Sequence, residues 1–175
     1  MRIVLVAGAL GLLALGASGA QAAEVTVPMH AITAAGVGAP IGSVELRDSA
    51  DGLQIRTNLA GLPTGARGFH VHENPDCGPG IENGQPAAGL AAGGHYDPGH
   101  TGKHLGPTGA GHMGDLPALP VGPDGQARTN MTVKRLSVDT LRGRALMIHA
   151  GSDTYGEPPR LGGGGGRIAC GVIPK

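Results

Sequence analysis

No stretch of this chain runs far without a glycine or a proline: the two supply 34 and 14 of its 175 residues. Such punctuation is hostile to long helices, because in a helix interior glycine costs about 1 and proline about 3 kcal/mol relative to alanine. What remains between the breakers is short. "EVTVPM" (24–29), "IGSVELRDS" (41–49), "GLQIRTNLAGL" (52–62), "GFHVHE" (68–73), "ARTNMTVKRL" (127–136), "RALMIHAG" (144–151) and "RIACGVI" (167–173) read as strands, several with alternating apolar and polar residues. "DSADG" (48–52) and "GPDG" (122–125) read as tight turns. The one helical expectation is a single turn near Val138 to Leu141, capped by Ser137. Many short strands with Gly/Pro turns predict an all-β antiparallel sandwich or barrel.

The first 22 residues stand apart. Arg2 precedes an apolar run from Ile3 to Leu15, and "AQA" (20–22) has the small-x-small form of a cleavage site. The run is too short for a comfortable membrane span. Residues 1–22 are therefore expected to be a signal peptide cleaved after Ala22, and 23–175 a single exported domain with no membrane association after cleavage. Without Arg2, 12 of the 13 basic residues face 13 acidic ones. With no basic run and only Phe69, Tyr96 and Tyr155 as aromatics, nucleic acid is excluded as a partner, since it needs clustered cations and stacking surfaces. An exported chain with two cysteines, Cys77 and Cys170, suggests one bridge, the alternative being a thiolate metal site or a nucleophile. A disulfide closing a loop of about 100 residues contributes up to ~4.7 kcal/mol in the chain-entropy account.

Two regions do not read as strands: Glu73 to Pro120 and Ser152 to Gly166. A segment as long as the first is functional or disordered when it occurs in a compact domain, and this one gathers His95, His100, His104 and His112, with Asp115 three residues further on. In "GFHVHENPDC" (68–77), His70 and His72 point to one face of a strand, about 6.5–7 Å apart along it. His149 lies in "LMIHAG", on the face opposite Ile148. Imidazole suits zinc, copper, iron and nickel. Six histidines (70, 72, 95, 104, 112 and 149) and Asp115 make seven side-chain donors, whereas two four-coordinate ions need eight. A shared donor balances the count, and only a histidine can offer both ring nitrogens. His30 and His100 are left outside this set.

Taken in order, "GFHVHENPDC", "GGHYDPGHTGKHLGP", "GHMGDLPAL", "RALMIHAGSD" and "LGGGGGRIACGVI" resemble the copper/zinc superoxide dismutases of the bacterial, exported type, over nearly the whole expected mature chain. The resemblance implies an eight-stranded Greek-key β-barrel or sandwich with long metal-binding loops, a periplasmic location, and copper and zinc as cofactors. It implies that His70, His72, His95 and His149 hold copper, and that His95, His104, His112 and Asp115 hold zinc, with His95 bridging. Asp153 matches a residue linking a copper-ligand histidine to a zinc-ligand histidine, and Cys77 and Cys170 match the disulfide. Arg167 matches the catalytic arginine beside the copper, where its planar fork would dock superoxide. His95 would hold and return a proton as copper cycles by one electron. Further steering charges, such as Glu82 or Lys103, stay open, as does the choice between monomer and homodimer.

Competing classes fit less well. A zinc hydrolase needs an open zinc and a general base, and no glutamate sits among the donors. A blue-copper carrier needs a free thiolate. A metal carrier without turnover would not need Arg167.

Overall fold

A computed structural model describes residues 22–175. The expected signal segment lies almost wholly outside the described residues. Among the described residues, no helix is long and apolar enough to cross a membrane.

The chain is built from strands β1 (Glu24–Thr33), β2 (Gly36–Ser49), β3 (Gly52–Leu59), β4 (Gly65–Arg67), β5 (Phe69–His72), β6 (Gly80–Glu82), β7 (Gln85–Ala87), β8 (Leu119–Val121), β9 (Ala127–Val133), β10 (Ala145–His149) and β11 (Arg167–Val172). One helical turn, α1 (Val138–Leu141), precedes β10. Ser137 caps it: its hydroxyl accepts from the Thr140 amide, and the Thr140 side chain accepts from the Ser137 amide. Seven strands form one antiparallel sheet in the order β5-β10-β11-β1-β2-β3-β9, and β4 pairs with β8. β4 runs into β5 with only Gly68 between them, and β8 turns into β9 through Gly122 to Gly125. Counting β4 and β5 as one interrupted strand gives eight positions, and the β4–β8 pair closes the curled sheet. The all-β class is as expected from the sequence.

The alternation in the sequence sets which face is packed. Along β3, Leu53, Ile55, Thr57 and Leu59 are buried while Gln54, Arg56 and Asn58 are exposed. On β5 and β10 the same period places Phe69, Val71, Leu146 and Ile148 in the main core. Their neighbours His70, His72 and Met147 fall on the other face, yet every residue of both strands is buried. The second face is covered by the segment after β5. There Ala92 and the Cys77–Cys170 disulfide pack with Met147, Ala145 and Ile32 as a separate small cluster. An apolar barrel interior and a lid over one outer face thus leave a dry layer for polar chemistry.

Several boundaries differ from the sequence expectation. β1 and β2 extend into a longer hairpin, pairing as far as Thr33 opposite Gly36, with bulges around His30. The segment from Glu73 to Pro120 is not free of strands. It holds the β6–β7 hairpin, turned by Asn83 and Gly84, both at positive φ (53° and 78°), as a two-residue Asn-Gly turn requires. The same segment also contains the start of β8.

Candidate metal centre

β5 and β10 pair in a register that sets Phe69 opposite Ile148 and His70 opposite Met147. Past that register, the His149 amide donates to the Gly68 carbonyl (2.9 Å), which brings His149 level with the start of β5. Gly68 must be small here: a Cβ on it would lie 3.2 Å from the His70 ring and 3.3 Å from the His149 Cβ. The other edge of β5 holds the long loop. The Val71 amide donates to the Gly114 carbonyl (2.9 Å), and the Tyr96 amide donates to the Val71 carbonyl (2.8 Å). His72 thereby bridges to His95, and His70 to Asp115. Both ends of the loop segment from 95 to 115 are stitched to the strand that carries the His-x-His pair.

Two groups result. In the first, donor atoms of His70, His72, His95 and His149 all lie within 4.8 Å of one another; in the second, so do those of His95, His104, His112 and Asp115. All seven side chains are buried, and His95 belongs to both groups. Its Nδ1 lies 3.0 Å from Asp115 Oδ1, and the same oxygen is 3.1 Å from His104 Nδ1 and 3.4 Å from His112 Nδ1. His70 and His95 stack with ring centroids 4.0 Å apart.

The hydrogen bonds fix which ring nitrogen is left over. A carbonyl or an ionised carboxylate can only accept, so the imidazole nitrogen facing it carries the proton. His72 Nδ1 donates to the Gly93 carbonyl (3.0 Å) and His149 Nδ1 to the Gly165 carbonyl (3.1 Å). His70 Nε2 and His104 Nε2 donate to the two oxygens of Asp153, at 2.6 and 2.8 Å. Asp153 thus joins a histidine of the first group to one of the second. The nitrogens left without a hydrogen bond are His70 Nδ1, His72 Nε2, His95 Nε2, His104 Nδ1, His112 Nδ1 and His149 Nε2, all buried. Unpartnered buried acceptors are costly and rare. Six converging in one place fit a pair of cations, and imidazole with carboxylate is the donor chemistry of zinc and copper.

The charge states agree. Burial lowers the pKa of His95 to about 4, even against the hydrogen bond it donates to Asp115, and that of His149 to about 3. Burial also pushes His72 well below its ordinary value, with Arg167 adding to the effect, and lowers His70 despite Asp153. Burial alone would raise Asp115 and Asp153, but their hydrogen-bonding histidines hold both below the usual carboxylate range. At neutral pH these four imidazoles keep their lone pairs and both acids are ionised, which is the state metal binding requires.

Beside the first group opens a cleft of about 780 Å³, lined by His149, Arg167, Gly93, Gly165, Glu82 and Arg160 among others. Arg167 sits directly across from His149 in the β10–β11 pairing. Its two terminal nitrogens donate to the Gly89 (2.6 Å) and Gly93 (2.7 Å) carbonyls of the covering loop. The glycine run is also specific in places: a Cβ on Gly162 would fall 2.2 Å from Asp153 Oδ1 and 2.5 Å from His104 Nε2. Glu82 lies on the cleft beside Arg167; exposed Lys103 does not line it. His30 and His100 lie outside both groups, His30 on β1 opposite Cys170 and His100 exposed in the loop.

One residue escaped the sequence reading. Arg135, just after β9, reaches back to the loop and donates to four carbonyls: Gly109 (2.7 Å), His112 (2.7 Å), Gly106 (3.1 Å) and Asp115 (3.2 Å). A lone arginine after a strand carries no signal for this, because its partners are backbone atoms.

A closed β-barrel whose outer layer carries two adjoining nitrogen-rich donor sets, with one histidine common to both, defines a metalloprotein with a paired-ion centre. The family model described as copper/zinc superoxide dismutase matches residues 40–173, and the chain belongs to that family, whose metals are copper and zinc. It is 50% identical over 161 residues to "Superoxide dismutase [Cu-Zn] 2" of Salmonella typhimurium, covering 91% of this chain and 93% of that protein. It is 49% identical over 159 residues to "Superoxide dismutase [Cu-Zn]" of Escherichia coli, covering 90% and 92%. Among solved structures, the Cu/Zn superoxide dismutase from Brucella abortus superposes with a TM-score of 0.85 at 46% identity, covering 86% of this chain and 99% of that one. The monomeric copper, zinc superoxide dismutase from Salmonella enterica gives 0.78 at 50% identity, with 86% and 99% covered.

Proposed function

We propose that this chain converts superoxide to O2 and hydrogen peroxide, with copper held by His70, His72, His95 and His149, and zinc by His95, His104, His112 and Asp115. One superoxide gives up an electron to become O2; another takes up an electron and two protons to become hydrogen peroxide. Bound copper supplies the one-electron redox capacity, while zinc is redox-inert and supplies fixed charge.

The chain's own groups do the rest. His95 presents Nδ1 to the second group and Nε2 to the first, so it can serve both ions once Nδ1 gives up the proton it donates to Asp115. Its Nε2, buried and without a hydrogen-bond partner in the chain, is the atom placed to hold a proton and return it to the product. Arg167 keeps its charge at any working pH and meets a small anion beside His149. Its bonds to Gly89 and Gly93 hold the guanidinium at that wall of the cleft. Asp153 fixes the ring planes of His70 and His104 together, so the two ion positions keep their relative orientation.

The observation that carries this reading is the convergence of six buried, unpartnered histidine nitrogens on two adjoining positions. Superoxide consumption by protein loaded with copper and zinc, against a His149→Ala variant, tests it. The loaded wild type should consume superoxide, and the variant should lose at least about 100-fold, the scale of an essential group's contribution. Equal rates, or an inactive loaded wild type, would overturn it.

The expected signal peptide (1–22) and a single dismutase domain (23–175) belong to the same proposal. The disulfide supports it, since such bonds persist in oxidising compartments such as the periplasm. N-terminal sequencing of periplasmic protein should begin at Ala23. The Salmonella enterica relative described as monomeric favours a monomer over a homodimer, which light scattering at micromolar concentration decides.

A further inference from the structure

We propose that Arg135 is a positioning residue for the zinc site, an inference that rests on the assignment of His104, His112 and Asp115 to zinc. Its fork binds the carbonyls of residues 106, 109, 112 and 115, and two of those belong to donor residues themselves. The loop from His104 to Asp115 has no strand or helix of its own to hold it. Its amides serve Asp115 instead: those of Leu105 and Gly106 donate to Asp115 Oδ2, at 3.3 and 3.2 Å. The carbonyls left over would point inward at the same place and repel one another. A single guanidinium gathers them through its two terminal nitrogens, which lie in one rigid plane. Arg135 also enters from the barrel side, one residue beyond Lys134 and two past the end of β9. It therefore ties a loop of little intrinsic order to the most regular part of the fold.

The consequence is selective. His70, His72 and His149 stand on β5 and β10, His95 is stitched to β5 through the neighbouring Tyr96 amide, and none of the four is hydrogen-bonded to Arg135. Zinc binding should depend on Arg135, and copper binding should not. Without the clamp, His112 and Asp115 can swing apart, and the zinc must order them as it binds.

The test compares wild type, Arg135→Ala and Arg135→Lys. Zinc affinity is read by chelator competition, copper affinity in parallel, and the geometry at the zinc position from the visible spectrum of Co(II) placed there. Arg135→Ala should weaken zinc about 10- to 100-fold, the usual cost of removing a group that orients metal ligands, and leave copper affinity unchanged. Arg135→Lys, with one point charge, should fall between. Guanidinium ion added to Arg135→Ala should restore zinc affinity but leave wild type unaffected. Should Arg135→Ala fail to fold, Arg135→Lys carries the same readouts. A merely structural role predicts a lower melting temperature of the metal-free variant with unchanged zinc affinity and Co(II) spectrum; that result overturns the inference. A wild type that binds no zinc sinks the metal assignment instead, so the two failures are distinct.

Discussion

The two halves of the centre are built on opposite principles. Three of the four donors in the first group stand on β5 and β10, adjacent antiparallel strands whose other face is main core. All four donors of the second group come from one loop, between His95 and Asp115. In the first half, position follows from strand pairing alone. In the second, it needs backbone stitches to β5, the Arg135 clamp and the Asp153 link. A strand-borne site is rigid before any ion arrives, whereas a loop-borne site must be held from outside. His95 and Asp153 are where the halves meet, so the looser half is disciplined by the stiffer one.

Reducing the Cys77–Cys170 bond is the strongest way to attack this contrast. The bond spans 93 positions and holds the covering loop against β11. Losing such a constraint costs about 4–5 kcal/mol of stability in the chain-entropy account. The loss should fall on the covering loop first, including Gly89 and Gly93, which hold Arg167. Hydrogen exchange of oxidised and reduced protein should show residues 74–94 deprotected while β5 and β10 stay slow. Uniform deprotection would mean that the strands depend on the loop as much as the reverse.

Acidification of the metal-free chain probes both halves at once. His95 and His149 have folded pKa values near 4 and 3, below the ordinary 6.5. The unfolded chain therefore takes up protons first as pH falls. Stability is complete above about pH 6.5 and is lost as the pH drops toward 4, by on the order of 3 kcal/mol for His95 alone. Below pH 4, Asp115 and Asp153 extend the loss, because both are held below their ordinary values and the unfolded state protonates them first. Urea midpoints of metal-free protein should thus decline from pH 7 to 4; metal-loaded protein should start higher and decline at least as steeply, because bound ions keep the same nitrogens unprotonated in the folded state. A flat profile would mean that the buried imidazoles are hydrated in the metal-free state.

Much of this was legible in advance, for reasons of chemistry. A His-x-His pair in an alternating run announces both its strand and its face. Histidines crowded into a glycine-rich segment have no packing reason to be there. What was hidden acts through the backbone. Arg135 recognises carbonyls, which every residue has. β4 and β8 are three residues each and exist only because they pair with one another. The β6–β7 hairpin did carry a local signal, Asn83-Gly84, but its flanks (Gly80–Glu82 and Gln85–Ala87) lack strand-like alternation.

Arg167 offers the finest test, because it borders the strand-borne half and is held by the covering loop without itself being a metal ligand. It stands on β11 opposite His149, while its guanidinium is bonded to loop carbonyls. Burial lowers its pKa and Glu82 beside it on the cleft partly offsets that, and the guanidinium stays charged at any working pH. Arg167→Gln keeps a hydrogen-bonding end and removes the charge, so both metals should bind as before. What is lost is attraction of the anion, which focused positive potential raises by about 10- to 1000-fold in favourable clefts and which salt screens. With Glu82 on the same wall, the low end of that range applies. Arg167→Gln should lower kcat/KM for superoxide about tenfold at low ionic strength, with the gap narrowing as salt is added. A gap that salt leaves unchanged would mean that Arg167 acts by holding Gly89 and Gly93 in place, making it part of the loop's scaffold and not of the substrate's path.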